Sequence, residues 1–316
     1  MPVWTPAGLK GYGLPNVCDE SASWPGTEEL TYRCAYILWG GLLLLFITHF
    51  IIRAILRTHW TSFTLSEMSI KAGVTREANL CDATREIQSI ILSSVLGPAG
   101  AYLTWRSFSL FDNPALDTIL LHPESSAEAC DMVFYVCTFG ATFGAWSLYQ
   151  FSWLLLGWQS GLENYVHHTV FSLVSFLNPY NFVLIEATLA ALAMEISSPA
   201  LSTMLIFRQV RGSIKTPFGL LEYSQIETVA ALVFMPLFLI ARVFVFGYAM
   251  WRCMQVWVLQ PPLVMTALGD GSYSAEVLCI QQALYLGGFG LQLFWARLIV
   301  SKFMRKFGKS DPKKRS

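Results

Sequence analysis

The chain is poor in charged residues. Only 13% of its 316 residues are Asp, Glu, Lys or Arg, whereas soluble domains carry about a quarter. The hydrophobic fraction is 54% and the mean hydropathy is +0.48. These values exclude an ordinary soluble domain and predict a membrane protein. The formal net charge of zero says little about partners, and no nucleic-acid partner is expected.

Motifs for metal and redox chemistry are missing. The seven cysteines are scattered without a C-x-x-C pair, and neither H-E-x-x-H nor a Cys/His quartet occurs. We therefore expect no metal and no resident cofactor. Cys18 and Cys130 fall on the side predicted to be lumenal, where they either form a disulfide or remain separate thiols.

A cleavable signal peptide is also missing. The opening "MPVWTPAGLKGYGLPNVCDE" has no continuous apolar core. Residues 1–33 are expected to form a lumenal arm, and residues 34–57 the first transmembrane helix, acting as an uncleaved signal anchor.

Long apolar runs are abundant. A bilayer core of about 30 Å needs about 20 apolar residues per helix, and seven runs predict spanning helices. They cover residues 34–55, 87–104, 131–153, 168–177, 182–194, 228–251 and 277–300. The limits of the fourth and fifth stay open, and "NPYN" between them predicts a tight turn. The runs lack the polar alternation of barrel strands, so the predicted fold class is all-α.

Lys and Arg are concentrated on one predicted side of the membrane. They follow the first span, lie between the fifth and sixth, and fill residues 301–316, which we expect to form a basic cytosolic tail. The N-terminus is then lumenal. The final "KKRS" resembles a dilysine endoplasmic-reticulum retrieval signal, although cytosolic positive charge alone also accounts for it.

Two adjacent histidines begin the fourth apolar run, in "NYVHHTVF". Neighbouring residues are about 100° apart on a helix, so only one of His167 and His168 can point squarely into a bundle. Two interpretations stay open. Either His168 works in a lipid-sized cavity with His167 as its interfacial neighbour, or the pair only hydrogen-bonds lipid head groups.

Three ionisable residues fall inside apolar spans, where such groups usually face a bundle interior: Glu186, Glu195 and Arg242. Arg242 is too deep to reach water comfortably, so it needs an acceptor such as Glu186, Glu195 or a lipid phosphate. A structural ion pair is the alternative to ligand contact. Pro236 should kink the same helix. Glu186 and Glu195 are nine residues apart, which places them on opposite faces of a regular helix.

Several of these residues fall in motifs of a known family. The His167–His168 pair, "EISSPAL" with Glu195 in the next helix, "FLIAR" and "LQLFWARLI" together resemble the TLC-domain family, which includes the ceramide synthases. The resemblance covers residues 87–300 as a six-helix domain and is nearest to members outside the synthase branch. It implies a lipid-handling protein of the endoplasmic reticulum membrane.

The chain departs from the synthases in its carboxylates. Ser198 stands where their second aspartate is expected, and the aspartate that many members carry before the histidine pair is absent. Two functions stay open. One is N-acyl transfer from acyl-CoA, as co-substrate, to a sphingoid base. The other is non-enzymatic lipid binding, membrane-lipid organisation or cargo escort; a transporter is only weakly supported because no inverted repeat is visible.

The candidate residues follow from both arguments. Under the enzyme interpretation His167, His168 and Glu195 are catalytic, with a neutral imidazole acting as base or acyl acceptor and the carboxylate orienting it. Arg242, Ser198 and Glu186 are expected to bind substrate. Membrane lipids are the expected partners, together with a second copy of the chain or another membrane protein.

Overall fold

The chain is a bundle of helices in the computed structural model, which describes residues 26–59, 64–66, 70–71, 73, 75–110, 127–156, 162–177, 185–216, 219–259 and 275–307. The all-α class is confirmed. Within those residues the helices are α1 (Gly26–His59), α2 (Arg76–Leu110), α3 (Ala127–Leu155), α4 (Leu162–Leu177), α5 (Ile185–Ala193), α6 (Ser198–Gln209), α7 (Tyr223–Phe238), α8 (Phe246–Leu259) and α9 (Ala275–Phe307). A 3₁₀ turn (Met194–Ser197) joins α5 to α6, and a π-helical segment (Leu239–Val245) joins α7 to α8.

Five helical stretches among the described residues are long and apolar enough to cross a membrane. They are Tyr32–Thr58, Arg76–Phe108, Glu186–Gln209, Tyr223–Met254 and Cys279–Arg305. Helix α3 is not among them, and α4, with 16 residues, is about 24 Å long, shorter than a bilayer core of about 30 Å. The chain is a polytopic membrane protein, but the predicted count of seven spans is not confirmed.

The fifth predicted span, whose limits the sequence left open, extends well past Met194. Its apolar run ends there, before the polar and proline-containing "EISSPAL", yet the helical path continues through the 3₁₀ turn to Gln209. Pro199 lies in the first turn of α6, where its missing N–H costs no intrahelical hydrogen bond. Glu195 therefore lies in the middle of this span and not at its end.

Short strands lie between α6 and α7, and one more lies between α1 and α2, although we expected no strands. Strand β1 (Thr64–Leu65) pairs antiparallel with β2 (Val210–Arg211), and β3 (Ser213–Thr216) pairs antiparallel with β4 (Gly219–Glu222). The pairing Thr64 with Arg211 and Ser213 with Glu222 fixes their registers. These ribbons lie outside the spans, so the all-α class holds.

Helix α2 is central to the bundle and packs against α1, α5 and α6. Helix α1 also packs on α3, α3 on α4, α4 on α9, and α6 on α7. The main apolar core lies between these helices and includes Leu103, Tyr149, Phe246 and Tyr285. Large apolar side chains on the outside of the bundle, such as Tyr36 and Trp39 of α1, are exposed, as expected for surfaces that face lipid.

Two glycines let α2 approach the α5–α6 span closely. A Cβ atom added at Gly97 would lie 2.8 Å from the carbonyl carbon of Glu195, and one added at Gly100 would lie 2.5 Å from the backbone nitrogen of Ala193. Small residues at three- or four-residue spacing are a common means of close helix packing in membranes. Here they bring the backbone of α2 directly against the turn that carries Glu195.

We predict that Gly97→Ala destabilises the protein. The added methyl group would collide with backbone that cannot give way as a flexible side chain can, and overpacking of this kind costs about 1–3 kcal/mol. Thermal or denaturant unfolding in detergent measures the change.

Gly290→Ala is the matched control for Gly97→Ala. No atom lies within 4 Å of a Cβ added at Gly290 in α9, and alanine is the better helix former, so this variant should be neutral or slightly stabilised. Equal melting temperatures for the two variants would show that the close approach of α2 is not required.

Candidate functional site

Arg242 is the centre of the candidate site. Its side chain lies in the π segment and is 5% exposed. Its Nε donates to Ser197 Oγ at 3.0 Å, and its Nη2 donates to Ser198 Oγ at 2.9 Å. Both hydroxyls come from the junction of the 3₁₀ turn with α6. The predicted substrate-binding residues Arg242 and Ser198 are therefore in direct contact.

Glu195 supplies the counter-charge. Its Oε1 lies 3.9 Å from Arg242 Nη2, an ion-pair distance too long for a hydrogen bond, and its Oε2 accepts from Ser93 Oγ of α2 at 2.8 Å. Glu195 and Ser93 are both buried. Of the acceptors proposed for Arg242, Glu195 is the carboxylate that the structure places beside it.

Backbone irregularity surrounds this contact on both sides. The 3₁₀ turn that carries Glu195 faces the π segment that carries Arg242, and Pro236 precedes the π segment by less than one turn. A proline inside a helix removes one backbone donor, and π segments absorb such shifts in register. Just after Pro236, where a kink was predicted, the helix changes from α to π geometry.

The two histidines lie on α4 with their ring centroids 5.1 Å apart. The His167 ring packs edge-on against Phe171 at 4.7 Å and against Trp295 of α9 at 5.2 Å. Among the described residues its Nδ1 is buried and has no hydrogen-bond partner.

The expected direct pairing of His168 with Glu195 is not formed. Neither histidine hydrogen-bonds Glu195 in the part of the chain that the structure describes, because both oxygens of that carboxylate face Ser93 and Arg242. The His167 ring instead packs against Phe171 and Trp295.

Glu186 lies apart from this cluster in a second buried ion pair. Arg252 Nε of α8 is 2.9 Å from Glu186 Oε2, and Ser107 of α2 donates to Glu186 Oε1 at 3.4 Å. Glu186 and Glu195 thus contact the same two neighbours, α2 and the α7–α8 path. The expectation that they face opposite sides of the span is therefore wrong.

Sequence reasoning missed most of the partners on α2. Its buried polar side chains follow a helical stripe: Arg85, Gln88, Ser89 and Ser93. Gln88 accepts from Tyr149 Oη at 2.6 Å, and Tyr149 Oη is 2.6 Å from His49 Nδ1. The i, i+3, i+4 spacing of these polar residues in an apolar helix was the signal that predicts a polar inner face. Arg252, the partner of Glu186, had no such local signal.

A groove leads from the surface to Arg242. It has a volume of about 510 Å³ and lies between α6, α7 and α9. Its walls are mainly apolar, including Leu201, Leu205, Ala231, Phe238 and Leu298. Arg242 and Trp295 line one end, whereas Arg208 and Lys302 line the other. The lining positions 228 to 242 are fourteen residues apart, which gives a length of about 20 Å.

These features define a polytopic membrane protein with a polar cluster inside the bundle and a lipid-sized groove beside it. A family model described as TLC domain matches residues 82–301, and the chain belongs to the TLC-domain family. No curated protein and no solved structure matches the chain significantly. Among the described residues, no group of three His, Cys, Asp or Glu side chains is close enough to hold a metal ion.

We predict that Arg242→Leu lowers stability by about 3–5 kcal/mol, because it leaves the carboxylate of Glu195 buried without its counter-charge. Removing both charges in Arg242→Leu/Glu195→Leu should recover much of that loss, since apolar replacement of a whole buried pair is often neutral. Denaturant unfolding in detergent for the wild type, both single variants and the double variant gives the coupling free energy. Additive effects of the two substitutions would contradict the pairing.

Proposed function

We propose that this protein binds a membrane lipid in the groove between α6, α7 and α9. The observation that carries the proposal is the groove itself: an apolar channel of about 510 Å³ with cationic residues at both ends. Its volume falls in the range of roughly 300–1,000 Å³ that is usual for small-molecule sites. An apolar wall of this length suits an acyl chain, for which the surrounding bilayer is the source.

The charges at the groove suggest how the lipid is oriented. Arg208 and Lys302 lie at the end that we expect to be cytosolic, where cations attract anionic lipid head groups. Arg242 at the other end is already neutralised by Glu195, so it adds little net charge. We propose that the charged end of the lipid lies by Arg208 and Lys302 and its chain extends toward Arg242 and Trp295.

Blocking the groove tests this function. Ala231 lines the groove, so Ala231→Trp should fill it and lower the amount of lipid that co-purifies with the protein at least severalfold. Lipid extraction and mass spectrometry of the purified protein measure the occupancy.

Val229→Trp is the matched control for Ala231→Trp. Val229 lies on the same helix, is 60% exposed and does not line the groove, so its substitution should leave lipid occupancy unchanged. An equal lipid content in both variants and the wild type would overturn the proposal that lipid occupies this groove.

A second candidate function is N-acyl transfer from acyl-CoA to a sphingoid base. It is favoured by the contact between His167 and Trp295, which places an imidazole behind the groove wall. In this reaction the amine forms a bond with the thioester carbonyl carbon, an imidazole of His167 or His168 accepts the amine proton, and the CoA thiolate leaves. Glu195 then acts through Arg242, with Ser198 holding the guanidinium in place.

We predict for this candidate that His167→Ala and His168→Ala each abolish acyl transfer in reconstituted membranes. Both variants should keep their helical fold and co-purifying lipid, because neither His167 nor His168 lines the groove. Product formation from acyl-CoA and a sphingoid base is the measurement. A wild-type protein without turnover would remove the enzyme candidate and leave lipid binding.

We propose the endoplasmic reticulum membrane as the location, with the N-terminus lumenal and the C-terminus cytosolic. The support is the terminal "KKRS" and the distribution of Lys and Arg; the tail, Cys18 and the turn "NPYN" lie outside the described residues. Changing Lys313 and Lys314 to serine should release the protein toward later compartments, as seen by fluorescence microscopy. Unchanged localisation would remove the support from the dilysine signal.

A further inference from the structure

Gln292 of α9 is the least explained polar residue in the bundle. Its side chain is 0% exposed, and among the described residues neither its Nε2 nor its Oε1 has a hydrogen-bond partner. A buried amide without partners costs several kcal/mol in an apolar medium, so native structures rarely leave one unsatisfied. Gln292 falls inside the "LQLFWARLI" motif, but its amide bonds no residue of the Arg242 cluster.

The neighbours of Gln292 along α9 locate it. Trp295, three residues later, contacts His167, and a Cβ added at Gly288, four residues earlier, would lie 3.9 Å from Val170 of α4. Residues three and four apart share a helix face, so Gln292 lies on the face of α9 that meets α4. Phe289, also on α9, packs against Phe246 at the start of α8.

The Nδ1 atom of His167 is a second buried polar group at the contact between α4 and α9. Among the described residues it has no partner, as is true of both polar atoms of Gln292. Trp295 connects this region to the groove, because its indole contacts the His167 ring and the same residue lines the groove. The inner end of the groove thus lies next to donors and acceptors that have no partner in the described part of the chain.

The net charge around Gln292 and His167 indicates which chemical group of a lipid can bind there. Arg242 at the inner end of the groove is paired with Glu195, so the surroundings carry little net charge. A charged group placed there would be desolvated without a free counter-ion. A hydroxyl carries no charge and can both donate and accept, so it can satisfy Gln292 and either tautomer of His167.

We propose that Gln292 and His167 form an inner subsite that receives a hydroxyl group at the deep end of the lipid chain, after the indole of Trp295 moves aside. The preferred ligand is then a long-chain lipid with its charged group near Arg208 and Lys302 and a hydroxyl at or near the opposite end. This inference rests on the proposed lipid-binding function and specifies which lipid the groove prefers.

The test compares two ligands that differ only in the deep hydroxyl: palmitate and omega-hydroxypalmitate, each titrated into delipidated protein in detergent. One additional hydrogen-bonded group should make the hydroxylated ligand bind about tenfold more tightly to the wild type. Gln292→Leu should abolish that preference while keeping palmitate affinity, because the apolar groove is unchanged. Ligand-free Gln292→Leu should also melt at a higher temperature, since an unsatisfied buried amide has been removed.

Gln282→Leu is the matched control. Gln282 is a buried amide on the same helix whose Nε2 bonds Met254 and whose Oε1 has no partner among the described residues; it lies ten residues from Gln292 and does not line the groove. This variant should keep the tenfold preference. Equal affinity of the wild type for the two ligands, or a preference that survives in Gln292→Leu, would overturn the subsite. Failure of the wild type to bind either ligand would instead overturn the proposed lipid-binding function.

Discussion

The burial of one guanidinium constrains the whole centre of this bundle. Arg242 has five N–H donors and a charge that cannot be removed by deprotonation, and an arginine at the middle of a membrane helix costs about 2.5–3.5 kcal/mol even on insertion scales. It therefore needs acceptors from neighbouring helices. The structure supplies them from one short stretch, Ser197, Ser198 and Glu195, so the α5–α6 span must lie directly against the π segment. Glu195 in turn needs Ser93, which requires the close approach of α2 that Gly97 permits.

Irregular backbone occurs where these polar groups meet. Ser197 ends the 3₁₀ turn and Ser198 begins α6, and Arg242 in the π segment reaches the two hydroxyls through different nitrogens, Nε and Nη2. In membrane interiors, departures from α geometry are tolerated where protein groups satisfy the freed backbone. The two irregular segments are thus consistent with a site and not only with packing.

The sequence predicts the class of this fold better than the details of its site. Long apolar runs identify α1, α7–α8 and α9 as spans, because length and hydropathy are local properties. The candidate acceptors of Arg242 included Glu195, since ionisable groups in apolar spans are few. The partners Ser93 and Arg252 were missed because their roles depend on which helices become neighbours, and a linear pattern does not contain that information. The sequence left the extent of the fifth span open because Pro199 and its serines resemble a helix end, whereas Arg242 satisfies those hydroxyls inside the bundle.

The ion pair between Arg242 and Glu195 limits what chemistry the histidines can perform. A catalytic His–Glu pair would require Glu195 to leave Arg242, which would strand a buried guanidinium at a cost of about 3–5 kcal/mol. Such a rearrangement would consume a large part of the 5–15 kcal/mol that stabilises an ordinary domain. Glu195 is therefore better suited to hold Arg242 in place than to act as the partner of an imidazole. With one carboxylate engaged in this way and a serine at position 198, any turnover would depend on the imidazoles themselves.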